Sequence, residues 1–456
     1  MGLIFQFFAR RQSYIKKSFT QLLQNEAILT TTFVLKLAST VEKFLYRLFI
    51  HLYSLTIKTV SPFNPKAKLW IQGRRHLLER MKKVVVPGEE IIWVHCSSLG
   101  EFEQGRPLLE KLKIENPKCK ILLTFFSPSG YEVRKHYTGA DYIFYLPTDS
   151  PRNARAFFDV VKPSLILFIK YEFWHFYLQE AKKRNVPLLL ISGIFRKTQP
   201  FFKSYGHFHR NMLRCFLHLF VQNKESVSLL NSIGIHDNVS LSGDTRFDRV
   251  IEIAENFEPI PFFDNFCAGH EVIVAGSTWS EDDEQLNHYA NTKNNIRFII
   301  APHHISKERL KECKRLYKRS IFYSEISNPI AATINTIIID NIGTLSRLYK
   351  YATVSYVGGG FGEDGVHNVL EAAVYGKPVV FGPDYKKYYE VIELVNAGGG
   401  ISINSSLQLE NKLDFLLKKD QGYELACEVS RKYVYSKKGS TNQIIKFIHA
   451  NRLLTN

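Results

Sequence analysis

Glu101 ends the run Ser97-Ser98-Leu99-Gly100-Glu101, which joins a strand-like segment, Ile91–Val94, to a helix-like one, Glu101–Lys113. Two chemistries fit that position. Ser98-x-x-Glu101 has the spacing of a capping box, in which side chains satisfy the first N–H groups of a helix. A carboxylate at a strand's carboxyl end can equally accept a proton from a hydroxyl nucleophile. Spacing alone favours the cap. Glu172 and Trp174 follow the strand-like Leu165–Ile169 in the same way. An acid and an aromatic there suit a sugar, although a packed tryptophan is the commoner outcome.

A second group of residues suits a nucleotide. Gly358-Gly359-Gly360-Phe361-Gly362 follows the apolar TVSYV segment and precedes a helix expected near Val366. Glycines there let backbone N–H groups approach a phosphate, helped by the helix dipole. Gly360-x-Gly362-x-x-Gly365 also satisfies the dinucleotide fingerprint. That fingerprint belongs in the first βα turn of a domain, and here it follows several strands, so a phosphate site is expected and a nicotinamide site is not. Asn368 and Glu371 lie three apart, on one helix face, where a carboxylate can take hydrogen bonds from both hydroxyls of a ribose; a solvated helix face is the plainer alternative. Gly276-Ser277-Thr278 ends another strand and offers hydroxyls and N–H groups, as a cap, a phosphate contact or both. His303-His304 are adjacent and point to different sides, and Glu281-Asp282-Asp283-Glu284 reads as an acidic first helical turn, so no metal is assigned.

The elements that must hold these residues alternate between short apolar strands and amphipathic helices from Glu90 onward. That period means βα units and parallel sheets covered on both faces. One series runs to about Gly243 and a second begins at Glu271; between them Glu255–Cys267, with two prolines and no periodicity, reads as a linker. The expected organisation is an extension over 1–43, a helix over 44–60, a Rossmann-like domain over 61–254, a linker over 255–270, a second Rossmann-like domain over 271–425, and C-terminal helices over 426–456 crossing back to the first domain. Two such domains place a ligand cleft at the carboxyl ends of both sets of strands.

The chain has 456 residues and a formal net charge of +17. Met1–Lys83 carries fifteen Lys or Arg against three acids, which is most of that excess. Within it FLYRLFIHLYSLTIKTV (44–60) places Arg47, His51, Ser54 and Lys58, after Lys43, in one narrow polar helical stripe with apolar side chains around the rest. The apolar run is too short and interrupted for a span of about 20 residues. A helix lying on an anionic membrane surface is expected, with docking on the protein as the alternative. A nucleic-acid partner is disfavoured, because the charge lies beside an apolar helix and not along an aromatic-studded sheet. Met1-Gly2 resembles a myristoylation start, but Gln6 stands where Ser or Thr is needed. Six dispersed cysteines without a C-x-x-C pair point to a reducing compartment.

The segments WVHCSSLGE, YEFWH, GDTRFD, VAGSTWSEDDE, IIAPHH and YVGGGFGEDGVHNVLEAAVYGKPVVFGP, with FNPKAKLW after the basic helix, resemble in order and spacing the 3-deoxy-D-manno-octulosonic acid (Kdo) transferases. The resemblance covers Phe44 to the C-terminus. It implies an α/β protein of GT-B architecture, without metal or cofactor, at the cytoplasmic face of a bacterial inner membrane. It implies CMP-Kdo as donor, the lipid A precursor as acceptor, inversion at the anomeric centre, and no obligate protein partner. By position Glu101 matches the general base, while Glu172, Arg246, Ser98 and Gly100 match the substrate side. Ser277, Thr278, His304, Gly358, Gly359, Gly360, Asn368 and Glu371 match the nucleotide side. The chain departs from the usual pattern in Gly243-Asp244-Thr245-Arg246-Phe247-Asp248, where a lysine is commoner than Arg246, and at His303, which stands for an arginine. Lys170 and His175 replace an acid and a proline. Another sugar-nucleotide-dependent GT-B transferase acting at a membrane surface is the alternative; it need not carry Glu101 after Gly100 or the basic helix.

Overall fold

The computed structural model describes residues 40–326, 331–363 and 365–454. The N-terminal extension therefore lies outside the described residues up to position 39. The chain forms two compact units: residues up to Leu241 together with the tail from Ile448, and Ser242–Phe447.

The first unit is built on a seven-stranded parallel sheet of β1 (Ile91–Cys96), β2 (Lys120–Phe125), β3 (Tyr142–Tyr145), β4 (Leu165–Ile169), β5 (Leu188–Gly193), β6 (His218–Val221) and β7 (Val239–Leu241), in the order β3-β2-β1-β4-β5-β6-β7. The strands are continuous apolar runs because helices cover both faces. β1 pairs with β2 on one side and β4 on the other, with Ile92 opposite Ile121 and Leu165. The direction in which the chain adds strands reverses between β1 and β4, and such a switch point opens a crevice at the carboxyl ends of the two strands. Fully buried Trp93 anchors the core below it, 4.5 Å from the Phe157 ring and 5.1 Å from Phe168.

The second unit repeats the plan with β8 (Glu271–Thr278), β9 (Ile296–Pro302), β10 (Ser320–Phe322), β11 (Thr336–Ile338), β12 (Val354–Val357), β13 (Val379–Phe381) and β14 (Gly400–Ser402), in the order β10-β11-β9-β8-β12-β13-β14. Its switch point lies between β8 and β12, where Gly276 is opposite Val357. The α/β, doubly wound class expected from the alternation holds for both units.

Three expectations change. The stretch read as a linker contains the helix Pro261–Cys267, whose Phe263 and Phe266 enter the core of the second unit; two phenylalanines, not periodicity, dock it. The helix Thr245–Glu255, all but its last residue expected in the first domain, belongs to the second unit. Of the C-terminal helices, Gln421–Tyr435 packs on the second unit, where Tyr433 Oη bonds to Glu390 O at 3.1 Å, and only the tail from Ile448 groups with the first.

Residues 40–60 are helical, and no helix among the described residues is long and apolar enough to cross a membrane. The helix does dock on the protein. Tyr46 Oη donates to Asp149 at 2.6 Å and its ring packs on His175 and Phe208, while Tyr53 stacks on Phe126. Opposite that docked side, Val41, Phe44, Leu45, Leu48, Leu52 and Leu55 are exposed; Val41, Leu45, Leu48, Leu52 and Leu55 follow in steps of three and four, and Phe44 widens the apolar stripe they make. The basic stripe lies on the flank between the two.

Candidate active site

Glu101 stands in the first turn of the helix Leu99–Glu115, directly after β1 at the first switch point. The capping box is only half made. Ser98 occupies the N-cap position without a side-chain capping bond, whereas the Glu101 carboxylate folds back to accept the backbone N–H of Ser97 and of Ser98. Gly100 beside it is exposed, and a Cβ there would meet nothing within 4 Å, so the fold itself does not require glycine. Glu172 comes from the other side of the same switch point, in the turn between β4 and the helix His175–Lys183. It is buried at 5% exposure and Glu101 at 8%.

His95 gave no sign of a role in the sequence; it is one of the six residues of β1, all of them buried. Its ring is fully buried; Nδ1 lies 2.8 Å from Thr124 Oγ1 and Nε2 lies 2.8 Å from Glu172 Oε2. The second separation requires one proton between imidazole and carboxylate. Trp174 Nε1 donates to the same carboxylate oxygen. Glu172 is thus fixed in orientation by two neighbours, and Trp174 serves as a hydrogen-bond donor as well as a packed ring. A histidine inside a strand gave no signal because alternation marks position, not partner.

Burial is the main reason the Glu101 carboxyl is pushed up, to about 8, and the negative charge of Glu172 adds to it. The bonds from Ser97 and Ser98 and the positive charge of Lys170 oppose this but do not offset it. Such a carboxyl keeps its proton most of the time at neutral pH and, once it has lost it, is a far stronger base than an exposed glutamate.

At the second switch point the glycine loop follows β12. Gly359 has φ +92°, and a Cβ on it would stand 2.4 Å from Gly365 O; a Cβ on Gly358 would stand 2.4 Å from Ser277 O and one on Gly360 2.7 Å from Gly382 N. The backbones of β8, β12 and β13 meet here with no space for side chains. Several N–H groups expected to face a phosphate are used inside the protein: Gly358 N donates to Gly276 O at 2.9 Å, Gly362 N to Gly359 O at 3.1 Å, and Gly359 N to Asp282 Oδ2 at 2.8 Å. The helix expected from Val366 is the single turn Leu370–Ala373, too short to bring much of a dipole. Asn368 and Glu371 do share a face, with Asn368 Nδ2 donating to Glu371 Oε1 at 3.0 Å.

Asp282 is the missed residue of this half. It was read with its neighbours as an acidic turn, yet it accepts bonds from Trp279 N, Tyr356 Oη and Gly359 N and so ties the helix Ser280–Thr292 to the glycine loop. Ser277, with φ +54°, and buried Thr278 close β8 beside it. His303 stacks between Trp279 and His367, with ring centroids 4.9 and 4.2 Å apart, and Trp279 Nε1 donates to His367 Nε2 at 2.9 Å. His304 meets the edge of Trp279 at 5.0 Å. An aromatic wall therefore stands where an arginine was expected.

Arg246 is also placed differently from expectation. It pairs with Asp244 Oδ2 at 2.7 Å and Glu390 Oε1 at 2.8 Å. Two carboxylates against one guanidinium leave no surplus positive charge for a phosphate. Asp248, in the same motif, accepts the N–H groups of Gly439 and Thr441, both at 2.6 Å, at the start of the helix Ser440–Ala450.

Residues 72–249 match the family described as 3-deoxy-D-manno-octulosonic-acid transferase (kdotransferase). A 3-deoxy-D-manno-octulosonic acid transferase of Aquifex aeolicus is 27% identical over 336 residues, covering 72% of this chain and 86% of that protein. Its counterpart in Rickettsia felis is 26% identical over 345 residues, 74% of this chain and 73% of the relative. The first unit thus matches the Kdo transferase family's domain, and the chain is similar to these enzymes along most of its length. Besides these Kdo transferases, a bifunctional glycosyltransferase/methyltransferase of Fusobacterium nucleatum is 26% identical over 377 residues, and the match spans 80% of this chain but 56% of that protein. Among solved structures, the UDP-GlcNAc 2-epimerase of Neisseria meningitidis shares the fold, with a TM-score of 0.57 at 17% identity over 79% of this chain and all of that one.

Proposed function

We propose that this chain is a Kdo transferase, an inverting glycosyltransferase that moves Kdo from CMP-Kdo to the lipid A precursor, a tetraacylated glucosamine disaccharide bisphosphate, in lipopolysaccharide core biosynthesis. The observation that carries the reading is Glu101: a buried carboxyl raised to about 8, at the carboxyl end of β1, with Glu172 beside it. That is the environment a general base needs in order to take the proton of a sugar hydroxyl. Glu172, held by His95 and Trp174, orients the sugar. Glu371 and Asn368 hold the ribose hydroxyls, and the β8 and β12 termini receive the phosphate. As CMP leaves, the proton of the attacking hydroxyl passes to Glu101 Oε. The new bond joins the acceptor oxygen to the anomeric carbon from the face opposite the departing phosphate.

The protein works at the cytoplasmic face of the inner membrane, held by the helix over 40–60. Its exposed apolar stripe enters the headgroup region and its basic flank meets anionic lipid. The test is incubation with CMP-Kdo and the tetraacylated precursor in detergent, with product mass as readout. A product heavier by one or more Kdo residues is expected. CMP binding without a product would overturn the acceptor, and absence of CMP binding would overturn the donor too.

A further inference from the structure

A cavity of about 400 Å³ lies in the first unit, under the edge of the helix over 40–60. Tyr46, Phe49, Ile50 and Tyr53 of that helix form one wall, and Phe126 and Trp174, whose rings are 4.5 Å apart, form part of another. Ser97 and Glu172 also line it, so the cavity reaches the carboxylate of the first switch point. At its outer rim Phe49 is 62% exposed and adjoins the apolar stripe of Phe44, Leu45, Leu48 and Leu52. The largely aromatic lining thus runs from the exposed Phe49 of the helix to the buried acid. The basic residues Arg47 and Lys58 lie on the other flank and do not line it.

We propose that this cavity takes one acyl chain of the acceptor lipid, next to the sugar whose hydroxyl is attacked. The inference rests on the lipid-acceptor reading above and adds a specificity site to it. The walls are aromatic and aliphatic, which suits a hydrocarbon; the single acid at the inner end meets the sugar to which the chain is bonded. A cavity of about 150 Å³ holds one benzene ring, so about 400 Å³ holds most of a medium-length acyl chain. Continuity with the exposed stripe lets the chain slide in from a bilayer without crossing water, which avoids the cost of hydrating it.

The test compares the tetraacylated disaccharide bisphosphate with its fully deacylated form, both with CMP-Kdo in detergent, and reads the ratio of their kcat/KM values. The wild-type protein should prefer the acylated form at least tenfold. Ile50→Trp, which fills the cavity, should lower that ratio about tenfold through KM. Phe49→Ser, at the exposed rim where folding is not at risk, should lower it several-fold. A wild-type ratio near one, or a ratio unmoved by both variants, would overturn the acyl site while leaving the transferase reading intact. No transfer to either acceptor would instead sink that reading, and this one with it.

Discussion

Burial is what most raises the Glu101 carboxyl, and the charge of Glu172 beside it adds to the effect. A carboxyl whose folded value lies above its unfolded value of about 4.5 favours the fold when protonated. Its contribution is complete below 4.5 and is lost as pH rises through about 8. Glu101→Gln keeps the shape and removes the charge, so its melting temperature at pH 9 should equal or exceed that of the wild type. Its kcat should fall by about a thousandfold, within the range in which a general base and the geometry it controls contribute. Near-normal turnover would remove Glu101 from the mechanism. The rate constant kcat/KM of the wild type should climb with pH and level off above about 8, as Glu101 loses its proton; a plateau already at pH 5 would contradict the buried-base reading. His95 is the other decisive side chain here. His95→Phe should leave Glu172 buried beside a single donor and lower stability by about 2 kcal/mol or more, measured by urea unfolding.

At the scale of elements, the two strand ends after β8 and β12 are held by buried acids and by glycine backbones. Asp283 is fully buried and pairs with Arg309, which comes from the helix Lys307–Leu316. Removing the partner strands the charge, so Arg309→Ala should cost about 3–5 kcal/mol, seen as a lower denaturation midpoint at an unchanged slope. Gly359→Ala adds two penalties, a positive φ and a carbonyl oxygen 2.4 Å from the new Cβ. It should abolish CMP binding in calorimetry. The strands and their alternation with helices were legible in the sequence because continuous apolar runs of four or more residues mark buried parallel strands. β10 and β14 were not, because Ser320-Ile321-Phe322 and Gly400-Ile401-Ser402 carry only two and one apolar residues and stand out from no background. Glu101, Glu172, Asn368 and Glu371 were legible as acids and amides at strand ends. His95 and Asp282 were not, because their partners Glu172 and Gly359 lie 77 residues away in each case, a separation that no local spacing reports. Arg246 shows the opposite limit: its charge was visible, but the two carboxylates that consume it were not.

At the scale of the whole molecule, composition located the basic excess in the first part of the chain, and the structure shows how the helix over 40–60 divides its surface. One side docks, one is basic, and one is apolar and exposed, so docking on the protein occupies one face and leaves the apolar face and the basic flank open. Replacing Leu45, Leu48 and Leu52 by Gln alters only exposed positions and should leave the melting temperature within a degree or two. The same variant should lose most of its sedimentation with anionic vesicles, and added salt should release the wild type in part through the basic flank. Unchanged sedimentation would reject this helix as the anchor.

The Gly359 amide, closed off by the Asp282 carboxylate, has one more consequence. Its hydrogen is buried and bonded to a group that belongs to another helix, so it can be traded for deuterium only when the turn after β12 and the start of Ser280–Thr292 part company. The labelling half-life of that single amide is therefore a clock for the opening of the second unit. It can be read in the ligand-free protein, and nucleotide that seats on the loop should slow it in proportion to occupancy.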